Sequence, residues 1–255
     1  MVDTQAASGG QVPRFAIFTD FDGTLVELAE TPDAILVPED LASQIIEAAR
    51  LVDGALAVIS GRELSDLERY LPEGIAVAGG HGTERRRADG SRISPADGLK
   101  EIAAGIASHL QDFVAQHPGL LLEHKNSSVA LHYRQAPDLA DQCSAAMEAA
   151  IAAVPGFEML AGKMVVEARP AATGKADAIR AFMQEAPFTG RVPVFLGDDV
   201  TDEDGFRAAQ EMGGVGIKIG EGQTLARVRT PDVESARAII VGLAKRVAEL
   251  APEEA

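Results

Sequence analysis

Cysteine is nearly absent from this chain: Cys143 is the only one among 255 residues. A single cysteine excludes an internal disulfide and cannot by itself build a thiolate cage around a metal, so the composition does not call for an oxidising compartment. The apolar residues spaced around Cys143 predict instead a small buried side chain on a helix.

Positive charge is also scarce, because 23 Lys and Arg residues face 39 Asp and Glu residues and leave a net charge of −16. Such a surface does not grip the phosphates of nucleic acids and repels anionic membranes, so we expect neither partner. Residues 1–13 lack the basic start and apolar stretch of a secretory signal, and no later segment is apolar enough for long enough to span a bilayer. We expect residues 1–13 to be a disordered tail and the protein to be cytoplasmic.

What the chain does contain is a regular alternation of short β runs and helical patterns, with 46% hydrophobic residues. This alternation is typical of a parallel sheet with helices on its faces, and it predicts a Rossmann-like, doubly wound α/β core. The pattern after the first strand puts Leu41, Ile45, Ile46 and Ala49 on one helical face. The predicted core strands are Phe15–Thr19, Leu56–Ile59, Ile75–Ala78, Val192–Leu196 and Val215–Ile219.

The rhythm changes in the middle of the chain to one helix and two strands, repeated once. Strands that follow each other directly form hairpins, so residues 98–169 are predicted to be a smaller α+β domain, an antiparallel sheet with both helices on one face. It is inserted into a core formed by residues 14–97 and 170–255. The apolar positions of its two helices are Leu99, Ile102, Ile106, Leu110 and Phe113, followed by Leu139, Cys143, Met147 and Ile151.

Polar residues cluster just past the carboxyl ends of the predicted core strands. In open parallel sheets ligands bind at that edge, so these residues are expected to converge. Several carboxylates in one place repel each other unless a cation neutralises them, and an all-oxygen set suits Mg²⁺ together with a phosphate. The sequence therefore predicts a metal site that handles phosphate, formed by Asp20 and Asp22, by Ser60, Gly61 and Arg62, and by Asp198, Asp199 and Asp202.

Four segments in order, "DFDGT", "ISGR", "TGK" and "GDDVTDED", resemble the motifs of the haloacid dehalogenase-like (HAD) phosphotransferases. The resemblance implies that Asp20 is a nucleophile that forms an aspartyl-phosphate. It makes Asp22 the general acid and base, and Lys175 a catalytic cation that also binds phosphate alongside Ser60 and Gly61. It also implies Mg²⁺ held by Asp20, the backbone carbonyl of Asp22 and Asp198, with Asp199 and Asp202 as ligands or their neighbours.

The predicted strands of the inserted domain carry polar side chains of both charge signs at alternate positions, which puts them on one face of its sheet. Glu123 and Lys125 share a face, as do Ser128, His132 and Arg134, and as do Lys163, Glu167 and Arg169. Carboxylates accept hydrogen bonds from sugar hydroxyls, whereas Lys and Arg donate to them. The residues at the other alternate positions point to the opposite face of the sheet and suit packing under the helices. They are Leu122, Val129, Leu131, Tyr133, Met164 and Val166.

Three features of the inserted domain resemble the trehalose-6-phosphate phosphatases in particular. They are an E-x-K pair, an arginine nine residues after its lysine, and a K-x-x-x-E that is followed by "RP". That family implies a type C2 cap of subtype C2B and a sugar phosphate as the substrate. We also expect the protein to be a monomer. Gly80 departs from the family pattern, because it offers no side chain before His81. The implied substrate-binding residues are Arg62, His81, Glu123, Lys125, Arg134, Lys163 and Glu167.

Two alternatives stay open at this point. Another capped sugar-phosphate enzyme, such as a sucrose-phosphate phosphatase or a phosphomannomutase, shares the four core motifs and differs in the cap. A non-catalytic sugar-phosphate sensor would need neither a nucleophile nor an acid, so the presence of both Asp20 and Asp22 argues against it.

Overall fold

A computed structural model describes residues 14–29, 31, 34–94, 97–171 and 173–250. The predicted disordered tail, residues 1–13, lies outside the described residues. None of the helices in these ranges combines the length and the apolar character that a bilayer crossing requires.

The larger of two sheets has eight strands in the order β12-β11-β10-β1-β2-β3-β4-β5. Neighbours pair in parallel from β12 to β3, whereas β4 and β5 extend the edge in antiparallel fashion. The strands are β1 (Phe15–Thr19), β2 (Leu56–Ile59), β3 (Ala76–Gly79), β4 (Glu84–Arg86), β5 (Arg92–Ile93), β10 (Val192–Gly197), β11 (Val215–Ile219) and β12 (Val228–Thr230).

Helices cover both faces of this sheet because the chain winds away from β1 in two directions, and right-handed crossovers then place the connecting helices on opposite faces. Helix α1 packs against α7, and α5 packs against α6. The doubly wound α/β prediction is confirmed, and the carboxyl ends of β1 and β10 meet where the strand order reverses. The core helices are α1 (Leu41–Leu51), α2 (Leu64–Leu67), α5 (Lys175–Met183), α6 (Glu203–Glu211) and α7 (Val233–Leu250).

The second sheet is antiparallel, with the strand order β6-β7-β9-β8, and its two helices build a separate apolar core around Leu131, Cys143 and Val166. The predicted repeat of one helix and two strands is confirmed, and so is the burial of Cys143 on a helix. Its elements are α3 (Leu99–Gln116), β6 (Leu121–His124), β7 (Val129–His132), α4 (Ala140–Ile151), β8 (Phe157–Gly162) and β9 (Val165–Pro170).

Three residues predicted to be buried are exposed. Ile46 and Ile102 are 47% and 38% exposed, because the buried stripes of α1 and α3 run beside them, through Ala48 and Ala103 respectively. Met164 is 41% exposed because it lies with Lys163 in the turn between β8 and β9, at φ 63°. Leu139 was predicted to lie on the second helix; it closes a short 3₁₀ turn before α4, and its partly buried side chain still packs against the apolar core of the small sheet.

Three boundaries of the predicted core strands differ from the structure, and three further strands were not predicted. The third core strand is Ala76–Gly79 rather than Ile75–Ala78, and the fourth ends at Gly197 rather than Leu196. The strands that were not predicted are β4, β5 and β12. Strand β4 is "ERR", whose charges give no β pattern in isolation. It forms because Val77, Ala78 and Gly79 of β3 supply an antiparallel partner, which is a tertiary cause.

Candidate active site

A cavity of about 200 Å³ opens between the carboxyl edge of the large sheet and the polar face of the small one. Every site residue predicted from the sequence lines it, with the exception of Asp202, which is fully buried behind the wall. The large-sheet side contributes Asp20, Asp22, Ser60, Gly61, Arg62, His81, Lys175, Asp198 and Asp199, and the small-sheet side contributes Glu123, Lys125, Arg134, Lys163 and Glu167.

Lys175 lies at the centre of a cluster of carboxylates. Its Nζ donates to Asp20 Oδ1 at 2.7 Å and to Asp202 Oδ1 at 2.6 Å, with all three side chains buried. The other oxygen of Asp202 accepts the backbone N–H groups of Asp198 and Asp199 at 3.0 and 2.9 Å. Asp202 therefore fixes both Lys175 and the turn that carries Asp198.

The charges in this group do not balance. Burial raises the pKa of Asp198 to about 7, and repulsion from Asp202 adds to the effect. Burial would lower the pKa of Lys175, but attraction to Asp20 and Asp202 prevails and raises it, so Lys175 is charged. The pKa of Asp198 stays raised even though the ammonium groups of Lys175 and Lys218 are both nearby, so the three carboxylates carry a surplus of negative charge that a bound cation would neutralise.

Asp20, Asp198 and Asp202 each place one oxygen within 4.8 Å of the others, an arrangement able to hold a metal ion. Carboxylate oxygens are the donors that hard divalent cations prefer, so the donor set fits Mg²⁺. The side chains of Asp22 and Asp199 are outside this set. Asp199 Oδ1 accepts the N–H of Val200 and caps a 3₁₀ turn.

Asp22 is engaged by an arginine fork. Arg62 donates from Nε to Asp22 Oδ2 at 2.7 Å and from Nη2 to Asp22 Oδ1 at 2.8 Å, while Nη1 donates to Asp66 at 2.7 Å. Two such parallel bonds fix the plane of a carboxylate. Arg62 lines the cavity, and the structure adds a contact to Asp22 that the sequence did not predict.

His81 connects the two sides of the cavity. Its Nε2 lies 3.4 Å from Glu167 Oε2, and its backbone is left-handed with φ 56°. Burial lowers the pKa of His81, so the ring is neutral near pH 7. Gly61 must be a glycine here, because a Cβ would lie 2.5 Å from Nε2 of His81.

Glu167 is the most heavily bonded carboxylate on the small-sheet side. It accepts from Ser128 Oγ at 2.5 Å and from Lys125 Nζ at 3.2 Å, in addition to the contact with His81. Burial opposes its ionisation, yet Lys125 and these hydrogen bonds hold the pKa of Glu167 well below its usual value. Lys125 also donates to the carbonyl of Gly61 at 3.1 Å and so links the two sides again.

Arg134 and Lys163 differ from the other cations that line the cavity. Among the described residues neither has an ion-pair or hydrogen-bond partner. Two cations without internal partners leave donors available to a polar or anionic ligand.

Several cavity or near-cavity residues were missed from the sequence. Lys218 donates from Nζ to the backbone carbonyl of Asp198, and its position inside β11 gave no signal. His132 was predicted to lie on the polar face, but its pairing with Glu123 was not predicted. An apolar wall is formed by Leu28, Ala29, Ile35, Leu160 and Val165.

Comparison with known proteins bears directly on this cavity. A family model described as trehalose-phosphatase matches residues 18–233. The chain is 43% identical to the trehalose-6-phosphate phosphatase of Escherichia coli (strain K12) over 228 residues, which are 87% of this chain and 85% of that protein. It is 39% identical to a probable trehalose-phosphate phosphatase of Sinorhizobium fredii, covering 95% of this chain and 92% of that one.

A solved structure, that of a trehalose-6-phosphate phosphatase related protein, is similar with a TM-score of 0.75 and 27% identity, over 91% of this chain and 98% of that one. Its similarity extends over both sheets, so the α/β core and the inserted antiparallel sheet are a shared architecture.

Proposed function

The chain belongs to the trehalose-phosphatase family, and from this premise we propose that it hydrolyses trehalose 6-phosphate to trehalose and phosphate, a step of trehalose biosynthesis. One observation carries the proposal: a single cavity joins the Asp20–Lys175 pair at the sheet edge to the Glu123, Lys125 and Glu167 group of the small sheet. The first group suits phosphoryl chemistry and the second suits a polyhydroxylated ligand.

We assign the two chemical steps to the aspartates of the first motif. Asp20 attacks phosphorus, the bond from phosphorus to the sugar oxygen breaks, and Asp22 gives that oxygen its proton. Asp22 then takes a proton from water as the water attacks the aspartyl-phosphate, which releases phosphate and restores Asp20. A carboxylate nucleophile divides one difficult transfer into two easier ones.

Arg62 and Ser60 support these steps in our proposal. The Arg62 fork fixes the Asp22 carboxyl in the wall of the cavity that Asp20 also lines. Ser60 Oγ accepts the backbone N–H of Arg62 at 3.2 Å, so its own hydrogen is available to a phosphoryl oxygen. Gly61 and Lys175 complete the phosphate site, because Lys175 places positive charge where the transferred group carries negative charge.

We propose Mg²⁺ as the cofactor, held by Asp20, Asp198 and the backbone carbonyl of Asp22, with Asp202 and Asp199 close by. When bound, the ion would supply positive charge that neutralises the carboxylates and the phosphoryl oxygens. This assignment is supported by the surplus of negative charge on the cluster of Asp20, Asp198 and Asp202.

We further propose that residues 98–169 form a cap of type C2B whose polar face holds the sugar that is not phosphorylated. Glu123, Lys125, Arg134, Lys163 and Glu167 are the proposed contacts, with Arg62 and His81 on the core side. A cytoplasmic location and a monomeric state stay predictions from the sequence.

A phosphate-release assay tests the function. The panel is trehalose 6-phosphate, sucrose 6-phosphate, mannose 6-phosphate and an aryl phosphate, each with Mg²⁺ and with EDTA. We expect trehalose 6-phosphate to have the highest kcat/KM, EDTA to abolish turnover and added Mg²⁺ to restore it. Asp20→Asn should lower turnover by more than about 10³-fold, as loss of a nucleophile does elsewhere.

Asp112→Asn on the exposed face of α3 is the matched control and should behave as wild type. Preference for another sugar phosphate would contradict the substrate assignment. Full activity in EDTA would contradict the metal, and more than a tenth of normal turnover in Asp20→Asn would contradict the nucleophile.

A further inference from the structure

His132 lies on the cap face that meets the cavity, one row away from two carboxylates. In the register of the small sheet, Ala130 stands opposite both Glu123 of β6 and Glu167 of β9. His132 is two residues further along β7, on the same face, and is therefore a diagonal neighbour of Glu123. Diagonal neighbours on one face are within reach when the side chains are long.

The two side chains meet in a short hydrogen bond. His132 Nε2 lies 2.7 Å from Glu123 Oε2, with the side chains 25% and 31% exposed, and both line the cavity. Within the described residues this is the only hydrogen bond of the Glu123 side chain, so Oε1 has its acceptor sites available. Burial opposes ionisation of Glu123, but the His132 hydrogen bond and the charge of Lys125 keep its pKa below the usual value.

Glu167 provides an internal comparison. Three side chains, those of Lys125, Ser128 and His81, already contact its carboxylate and fix its orientation without a ligand. Glu123 depends on one neighbour for the same purpose. Removing that neighbour leaves a charged carboxylate free to rotate about several side-chain bonds, and a ligand then has to order it.

We propose that His132 is a positioning residue for Glu123. His132 donates from Nε2 to Oε2, and this bond aims Oε1 at hydroxyl groups of the hexose that carries no phosphate. The inference rests on the proposed trehalose-phosphatase function and adds to it a residue that sets affinity for the second sugar without touching the reacting atoms. We therefore expect His132 to affect the binding of disaccharide phosphates but not of substrates that are too short to reach Glu123 on β6.

Steady-state kinetics on trehalose 6-phosphate and on a small aryl phosphate test the role of His132. His132→Leu should lower kcat/KM for trehalose 6-phosphate roughly tenfold, equivalent to about 1.4 kcal/mol, mainly through KM. The same variant should change aryl phosphate hydrolysis by less than about twofold, because that substrate makes no contact with Glu123. His132→Gln keeps a donor at a similar reach and should restore most of the loss.

Two further variants separate positioning from structure. His124→Leu removes a histidine from the exposed end of the neighbouring strand and should match wild type on both substrates. In a Glu123→Gln background, His132→Leu should add little, because the residue it positions has changed.

The outcomes distinguish this inference from the function on which it rests. Wild-type protein with no preference for trehalose 6-phosphate would overturn both. A wild type with that preference, combined with equal losses on the two substrates in His132→Leu, would overturn the positioning role alone. So would a His132→Gln variant that fails like His132→Leu, or losses that add fully in the double variant.

Discussion

Lys175 forms hydrogen bonds with two of the clustered carboxylates, whereas the third, Asp198, accepts none from it. Asp20 and Asp202 both accept from its Nζ, whereas the pKa of Asp198 is raised to about 7 by burial next to Asp202. A phosphoryl group brings further negative charge to the same place. We therefore expect an added cation to favour substrate binding as well as the stability of the site.

Gly23 gives a residue-scale test of this dependence. Its φ is +76°, and a Cβ at this position would collide with the Asp198 carboxylate. Gly90 has a similar φ of +84° with open space around it, so alanine there carries only the backbone strain. Mg²⁺ should raise the Tm of wild type and of Gly90→Ala, because binding to the folded state stabilises it. Gly23→Ala should lose this rise together with most of its activity.

Thermal melts with and without Mg²⁺ on the three proteins measure the difference. A Gly23→Ala variant with the wild-type rise in Tm would contradict the role of Asp198 as a ligand. Loss of the rise in Gly90→Ala as well would mean that strain at these glycines, rather than the collision with Asp198, disturbs the protein.

The sequence predicted the site residues that lie at strand ends, but it did not predict the contacts by which neighbouring side chains hold those residues in place. Asp20 and Asp198 were predicted because each follows an apolar strand that feeds a sheet edge. Lys218 was missed, and His132 was placed on the polar face without a partner, because a polar residue on a strand fits simple alternation as well as it fits a role. The forked contact from Arg62 to Asp22 joins residues 40 positions apart, which no local pattern encodes.

At the scale of elements, the sequence predicted which helices and strands exist better than it predicted which side chains they bury. Strands β1, β2 and β11 match their predicted bounds, because central parallel strands are apolar on both faces. Ile46 and Ile102 were assigned to buried faces that in fact run through alanines. Small residues at the contact let a helix pack closely on a sheet, and a pattern based on large apolar residues overlooks them.

Helix α3 offers a matched pair that tests this interpretation. Leu110 is 1% exposed in the apolar core of the cap, whereas Ile102, two turns earlier, is 38% exposed. Leu110→Ala should lower the free energy of unfolding of the cap by about 2–5 kcal/mol, the usual cost of such a cavity. Ile102→Ala should cost less than about 1 kcal/mol, because the side chain is partly hydrated already.

Urea unfolding followed by circular dichroism, with trehalose 6-phosphate hydrolysis at each urea concentration, measures both effects. If the two variants lose similar stability, the buried stripe of α3 is not the one described. Loss of activity before loss of core secondary structure in Leu110→Ala would support separate unfolding of the cap.

At the scale of the whole molecule, one short loop of the cap makes several hydrogen bonds to the core, in addition to the His81–Glu167 contact and the packing of β8 on the 3₁₀ turn Val200–Asp202. Residues 125–128, between β6 and β7, contact two core loops. Lys125 donates to the Gly61 carbonyl, the backbone N–H of Asn126 donates to Glu63, and Ser127 Oγ lies 3.0 Å from Thr83 Oγ1. The Thr83 hydroxyl already donates to the Gly80 carbonyl at 3.0 Å, so Ser127 is the donor of the pair. Gly80 leaves the space for this contact, since a Cβ there would collide with Thr83 Oγ1.

The Ser127–Thr83 bond provides the test of cap closure. If this loop holds the cap over the phosphate site, then Ser127→Ala should weaken the closed arrangement by about 0.5–1.5 kcal/mol, the net value of a neutral hydrogen bond. We expect a roughly two- to tenfold lower kcat/KM for trehalose 6-phosphate, at 1.4 kcal/mol per factor of ten, and a smaller change for an aryl phosphate. Thr83→Val removes this bond and also the one to the Gly80 carbonyl, so its loss should be at least as large. The double variant should be no worse than Thr83→Val alone, because Ser127→Ala then has no bond left to remove. Ser144→Ala, which loses only a bond to Ala140 within helix α4 of the cap, is the control and should match wild type. Losses that add in the double variant, or a Ser127→Ala enzyme indistinguishable from Ser144→Ala on both substrates, would mean that this loop merely touches the core and that closure depends on the ligand itself.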